Sequence, residues 1–332
     1  MIKNSSYDHC SPYDEYRYVI VAVVSSGSAM VSALCCIFVI CLIFLLKKHY
    51  FFIQRLILYH CLAALFRAAA LITRFHRLKY NDDSKALTVF CAISGFMDQI
   101  SLWYLMVDFS VITFTLLMTA VFHKNVARLE RLYIVLIFIL PLTFNWIPFI
   151  EDSYGKSGAW CWIRNLNYDD CSEHKFGSII QNVLWKVPTY IFLIIMIPTY
   201  LMVVGFVARQ KCCSKDGASR EQDRDTLRRT LHEEVWPLLF FPFGALILNL
   251  LPLANEIYET IYIDDPSYEL SLAGAVLSPL QGGYIALVYT LDCDTIRRLS
   301  YSNMVATLRE RRDTVREYPA EAGGMSDSVT IK

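Results

Sequence analysis

The sequence predicts an all-α membrane protein built as a seven-transmembrane-helix bundle. Of 332 residues, 55% are AVILMFWYC and only 19% are charged, whereas a soluble domain carries roughly a quarter of its residues charged. The mean hydropathy is +0.38. The apolar residues also fall in seven blocks near the ~20 residues that cross ~30 Å of hydrocarbon as a helix. So much apolar surface belongs against lipid, which excludes a soluble enzyme. With 31 basic and 31 acidic side chains there is no net field to recruit nucleic acid.

The first span, Tyr18 to Leu46, stops at Lys47 and Lys48. The second, Phe51 to Ile72, runs out into a basic stretch that begins at Arg74. The third, Leu87 to Phe122, and the fifth, Ile179 to Ala208, exceed the minimum, as tilted helices that project beyond the bilayer do. The fourth, Leu132 to Ile150, lies between Arg131 and Glu151. The sixth, Val235 to Ala254, follows a basic loop, and the seventh, Leu270 to Leu291, closes at Asp292. Past Cys293, the apolar Ile296, Leu299, Met304 and Leu308 recur at helical spacing beside Arg297, Arg298, Arg309 and Arg311. That spacing predicts a short amphipathic helix on the inner membrane face, followed from about Arg316 by a disordered tail. The domains are thus an arm over 1–17, a bundle over 18–292 and a cytoplasmic segment over 293–332.

Lys and Arg orient the bundle. With the N-terminus outside, the cytosolic segments hold 20 of the 31 basic residues, the external segments hold nine, and Arg67 and Lys186 lie inside spans. The positive-inside rule therefore sets the N-terminus outside. Residues 1–17 lack the apolar stretch of a cleaved signal peptide, so the first span serves as its own signal anchor. Asn4-Ser5-Ser6 is a glycosylation sequon on that arm.

Four of eleven cysteines then face the oxidising side, Cys10, Cys91, Cys161 and Cys171, and allow three pairings. Cys91 opens the third span and Cys161 sits in the long loop after the fourth, so the favoured pairs are Cys91 with Cys161 and Cys10 with Cys171. Cys35, Cys36, Cys41 and Cys61 lie within spans as small packing residues. Cys212, Cys213 and Cys293 flank span ends on the reducing side and are candidates for palmitoylation.

Catalytic motifs are missing. There is no Gly-rich phosphate loop and no G-x-S-x-G elbow, and His232-Glu233-Glu234 lacks a second zinc histidine. Neither an enzyme nor a cofactor is expected, and no metal site. The seventh span has no lysine for a retinal Schiff base, and no inverted repeat of the transporter kind is visible. A receptor, whose output is a change of shape, remains.

Trp160-Cys161-Trp162-Ile163 resembles the W-C-W-I signature of the second external loop in cyclic-AMP-receptor-like G-protein-coupled receptors, a group similar to the secretin and adhesion receptors. Leu280-Gln281-Gly282-Gly283 with Leu287-Val288-Tyr289 resembles their Q-G and V-Y motifs in the seventh span. Leu102-Trp103 and Leu184-Trp185-Lys186 fit the same pattern. The likeness covers roughly Tyr18 to Ser300. It implies coupling of an extracellular ligand to a heterotrimeric G protein at the plasma membrane. The chain departs from rhodopsin-type receptors, with Phe122-His123-Lys124 after the third span and no Asn-Pro-x-x-Tyr, and Ile285 replaces an asparagine that often follows Q-G-x-x. The arm is also too short to fold alone as a hormone-binding ectodomain.

Polar residues inside spans are costly in lipid and mark functional candidates. His60 and Asp108 lie at depths of roughly 14 and 21 Å from the inner side, within reach of one another. Similar His and Glu residues of secretin-type receptors form a polar lock on the inactive state, which is the role implied for this pair; the alternative is a His bonded to a neighbouring carbonyl and an Asp facing internal water. On the outer half, Arg67, Asp98, Gln99, Lys186 and Asn249 are expected to line a ligand pocket, the two cations suiting an anionic group. The bland alternative pairs Arg67 with Asp98 and lets Lys186 snorkel. Trp146, Trp160, Trp162 and Trp185 are expected as interface anchors, and Gln281, Gly282 and Gly283 as a close helix contact. The competing reading is an orphan scaffold or transporter-like membrane protein without G-protein coupling.

Overall fold

In the computed structural model of the chain, seven helical segments are long and apolar enough to cross a membrane: Tyr16–Leu45, Phe52–Thr73, Thr88–Val121, Ala127–Phe149, Lys175–Arg209, Leu239–Glu259 and Tyr268–Thr290. The structure describes residues 15–79, 85–122, 124, 126–157, 160–167, 172–213, 236–262 and 267–291. The chain divides into two compact units, Met1–Tyr289 and Thr290–Lys332. Asn4, Cys10, Cys171, Cys293 and the tail, with its expected amphipathic helix, lie outside the described residues.

The spans pack as a bundle. The first lies along the second, the second along the third and the sixth along the seventh. The first also meets the seventh, and the third touches the fourth, fifth and sixth. In an apolar 18-residue stretch of the second and of the third span 56% of the residues are buried, against 17% in that of the fifth. The core therefore runs between the second and third helices, while the others turn apolar side chains such as Leu34, Ile194 and Leu201 outward, as lipid-facing helices do.

Prolines set where the helices break. The fourth span is regular helix only over Glu130–Ile134. It then widens over Val135–Ile139 and tightens over Leu140–Thr143 and Ile147–Phe149, because Pro141 and Pro148 bring no N–H to the ladder. Asn145 fastens the tightened turn, its backbone N and side-chain Nδ2 both donating to Pro141 O, at 3.2 and 2.7 Å. The seventh span is likewise two helices, Tyr268–Leu277 and Gln281–Leu291, joined by a tight turn over Ser278–Leu280 around Pro279. The sixth helix, Trp236–Ile261, continues past the Ala254 end read from hydropathy. Its polar Asn255 and Glu259 hydrogen-bond one turn apart at 2.8 Å, which keeps the helix intact where hydropathy falls.

The mostly helical chain adds one short hairpin in the loop after the fourth span. Strand β1 (Tyr154–Ser157) pairs antiparallel with β2 (Trp160–Ile163), Lys156 opposite Cys161. The hairpin root is tied by Arg164 N donating to Ser153 O at 2.8 Å. Below it, Tyr154 packs on Phe96 and Phe149 with ring centroids 5.8 and 4.8 Å away, and donates its hydroxyl to Asn145 O at 2.7 Å. Burial, reinforced by the nearby Asp98 carboxylate, pushes that phenol far above its usual range, so the hydroxyl keeps its proton and the bond.

Candidate functional site

Cys91 and Cys161 are joined by a disulfide that closes a sequence separation of 70 residues. One turn further along the third helix, Gly95 lets the hairpin cross: a Cβ there would lie 3.1 Å from the Trp162 backbone. Hence β2 is laid directly on the third span. A cross-link over so long a loop contributes about 2–5 kcal/mol. Cys91→Ser is therefore expected to cut surface expression several-fold and to leave a free thiol at Cys161, measured by flow cytometry and by mass spectrometry after alkylation. Unchanged expression would show that packing at Gly95 suffices.

Trp162 descends from β2 between the third and fifth spans, its ring 6.2 Å from that of Trp185. Its indole N–H donates to Gln99 Oε1 at 2.6 Å, and Gln99 Nε2 donates to Leu184 O at 3.3 Å. Trp103 gives the same carbonyl a second donor at 2.9 Å. The reason lies in the sequence. A helical Leu184 carbonyl pairs with the amide four residues on, and that residue is Pro188, which has none. The fifth span widens over Asn182–Lys186 at this point, and third-span side chains take the exposed carbonyl.

The pocket expectation changes accordingly. Gln99 does not face an open pocket, being fully buried and committed to Trp162 and Leu184. Arg67 is 7% exposed and forks onto Ser278, with Nη1 to its carbonyl at 2.8 Å and Nη2 to its hydroxyl at 2.6 Å. Its Nε lies 3.6 Å from Asp98 Oδ1. A buried guanidinium without such partners costs several kcal/mol, and here the protein supplies them. The crevice beside Arg67, between Ala64, Leu71, Leu105, Pro279 and Gln281, has no room for a water-sized sphere. Asn249 hydrogen-bonds within its own helix, to Ala245 O, and accepts from Gln281 Nε2 at 3.4 Å. Lys186 is half-buried at the end of the widened turn of the fifth span. Among the tryptophans, Trp146 fits the anchor reading, half exposed and bonded only to its own turn, whereas Trp162 is an internal bridge.

The second and third helices also meet at His60 and Asp108. Nδ1 lies 2.7 Å from Oδ2, and both side chains are fully buried. The ring rests on Phe109 at 4.5 Å, while His60 Nε2 and Asp108 Oδ1 have no hydrogen-bond partner among the described residues. Closer to the helix ends sits a cluster that the sequence reading missed. Arg55 donates from Nε and Nη2 to the two Glu130 oxygens at 2.5 and 2.6 Å, and Tyr59 donates to Oε1 at 2.9 Å. Arg55 also holds the carbonyl of Tyr50 at 2.8 Å. The signal was present, an acidic residue among the basic ones that open the fourth span, but it looked like topology.

The first and seventh spans touch at Gly282. A Cβ there would lie 2.3 Å from Cys36 Sγ and 2.8 Å from Ser32 O, and the Gly282 amide donates to Ser32 Oγ at 3.0 Å. Gly283 is different, its imagined Cβ meeting nothing nearer than 3.9 Å, so the expected glycine pair reduces to one packing glycine. Gln281 is buried beside it. Cys212 and Cys213 end the fifth-span helix. Among the described residues no group of three or more His, Cys, Asp or Glu is placed to hold a metal ion.

Gln99→Leu keeps the volume and removes both hydrogen bonds. It strands the Trp162 indole N–H in the interior, a loss of about 1–3 kcal/mol. The expected result is a melting temperature lowered by several degrees in detergent, which Trp162→Phe in the same background largely restores, because no orphaned donor then remains. A melting temperature equal to the parent's would exclude the bridge. No protein-family model and no curated protein matches the chain.

Proposed function

We propose that the chain is a plasma-membrane G-protein-coupled receptor, N-terminus outside, in which an extracellular ligand selects a bundle conformation read by a heterotrimeric G protein. The observation that carries this reading is the His60–Asp108 pair, buried between two helices on the inner half, where it holds only while those helices stay together. A rigid scaffold has no use for so costly a contact. The hairpin fastened by Cys91–Cys161 supports the same reading, since it fixes an outer surface to the third helix, as does the resemblance of Trp160 to Ile163 and Gln281-Gly282 to cyclic-AMP-receptor-like receptors. The ligand acts from the outer mouth, the seven basic residues in the sequence from Arg209 to Arg229 supply charge for an acidic or amphipathic partner segment, and neither cofactor nor catalytic residue takes part.

G-protein recruitment and second-messenger output in transfected cells test this directly. Basal recruitment above that of mock-transfected cells, at verified surface expression, is the expected result. No recruitment of any G-protein class by surface-exposed protein would favour the scaffold or transporter reading.

A further inference from the structure

The fourth span opens with two arginines that lack a counter-charge among the described residues. Glu130 stands between Arg128 and Arg131 in sequence, yet its carboxylate is turned onto the second span. There Arg55 takes both oxygens and Tyr59 donates to Oε1. Arg128 and Arg131 are exposed, and among the described residues neither has an ion pair or a side-chain hydrogen bond. Three positions apart, they are neighbours on the helix surface. Lys124, exposed four residues before Arg128, adds a third positive charge.

An apolar face begins directly behind them. Leu132 and Val135 lie four residues beyond Arg128 and Arg131, and with Ile139, Leu142 and Trp146 they recur at steps of three and four, each about half exposed. From Leu132 to Trp146 is about 20 Å at the helical rise, more than the ~15 Å of one leaflet. The arginines thus stand at one end of a lipid-facing stripe and the Trp146 anchor near the other, which sets the arginines at headgroup depth. Exposed Tyr50 borders the same rim, since Arg55 binds its carbonyl at 2.8 Å. We propose that Arg128 and Arg131 hold the headgroup of a polyphosphorylated phospholipid, a phosphoinositide, with an acyl chain laid along the stripe. A guanidinium is a planar fork that takes phosphate bidentately. Two neighbouring forks match two phosphate monoesters, each more highly charged than a diester. A soluble acidic partner fits less well, because the face that continues from the cations is apolar and turned to lipid. The site lies in the cytosolic leaflet in the orientation of the receptor reading, on which it rests in that respect alone.

The test titrates the full chain in detergent with phosphatidylinositol bisphosphate and, separately, with phosphatidylserine of the same acyl chains, counting bound lipid by native mass spectrometry. The parent is expected to prefer the phosphoinositide. Arg128→Gln with Arg131→Gln is expected to bind it roughly thirtyfold more weakly, the effect of two cations at an anionic surface. Arg128→Lys with Arg131→Lys keeps the charge but not the forks, and is expected to fall between. Arg228→Gln with Arg229→Gln removes the same charge from the loop before the sixth span and should bind like the parent. Inositol trisphosphate, the headgroup without chains, should bind at least tenfold more weakly than the lipid. The measurement needs no G protein, so its failure leaves the receptor reading standing, and an N-terminal tag stained on intact cells reads the orientation by itself. Equal binding of phosphatidylserine, parental binding by the glutamine pair, or an equal loss in the charge-matched pair overturns the site. Inositol trisphosphate bound as tightly as the lipid overturns the stripe. A glutamine pair that binds lipid like the parent but loses G-protein recruitment assigns the two arginines to a protein partner instead.

Discussion

Gly282→Ala is expected to lower sharply the yield of folded protein and its melting temperature, and Gly283→Ala to leave both at or above the parental level. The added methyl at Gly282 meets Cys36 Sγ at 2.3 Å, Ser32 Oγ at 2.6 Å and Ser32 O at 2.8 Å. The third is backbone, which does not turn aside. Separating the first and seventh helices to make room stretches the bond from the Gly282 amide to Ser32, so overpacking of about 1–3 kcal/mol adds to a weakened hydrogen bond. At Gly283 the methyl finds only Leu280 Cδ2 at 3.9 Å, and alanine is favoured over glycine within a helix by up to about 1 kcal/mol. Thermal unfolding followed by size-exclusion chromatography separates the two. Cys36→Ala should recover part of the loss in Gly282→Ala, by withdrawing the nearest atom. Equal behaviour of the two alanine variants would mean the first helix does not approach as closely as described.

The contrast between these neighbours also marks where a single sequence stops being informative. Seven spans are legible because hydropathy is a local property, and blocks such as Tyr18 to Leu46 announce themselves by length and composition. Breaks are half legible. Pro141, Pro148 and Pro279 say that a helix loses a donor, but not what then holds the backbone around them. Asn145, four residues from Pro141, was within sight. The side chains that hold the seventh span's backbone beside Pro279 are Arg67, 211 residues from Ser278, and Ser32, 250 residues from Gly282.

The candidate site follows the same logic. A charge in an apolar block is visible at once, and Arg67, Asp98, His60 and Asp108 all stand out by type. Their roles depend on the opposite helix. Arg67 looks like an anion-binding cation until Ser278 is brought beside it, and Gln99 looks like a pocket residue until β2 lowers Trp162 onto it. Helical depth brought His60 and Asp108 within reach because it needs only the rise per residue. The hairpin is illegible for the opposite reason: four-residue strands carry too little alternation to outweigh the surrounding helical blocks.

In the receptor proposed above, truncating either His60 or Asp108 is expected to raise basal G-protein activation, and truncating both to add little further. The pair spans the second and third helices at 2.7 Å in a fully buried setting, so its attraction belongs to the closed arrangement and is absent once the helices part. Removing one partner takes that bias away and leaves the other polar group buried alone, a cost of about 3–5 kcal/mol to the closed state. Even a third of that cost, expressed as a shift between closed and open bundles, is about tenfold in basal activity. The double variant has no stranded group, so its expression recovers and its basal activity does not exceed that of the single variants. The comparison is a cycle of His60→Ala, Asp108→Ala and the double change at matched surface density, with G-protein recruitment as the readout. His60→Gln, which can still hydrogen-bond to the carboxylate, should fall between the parent and His60→Ala. Parental basal activity in every variant at matched expression would assign the pair to packing, and the receptor reading would lose the observation on which it chiefly stands.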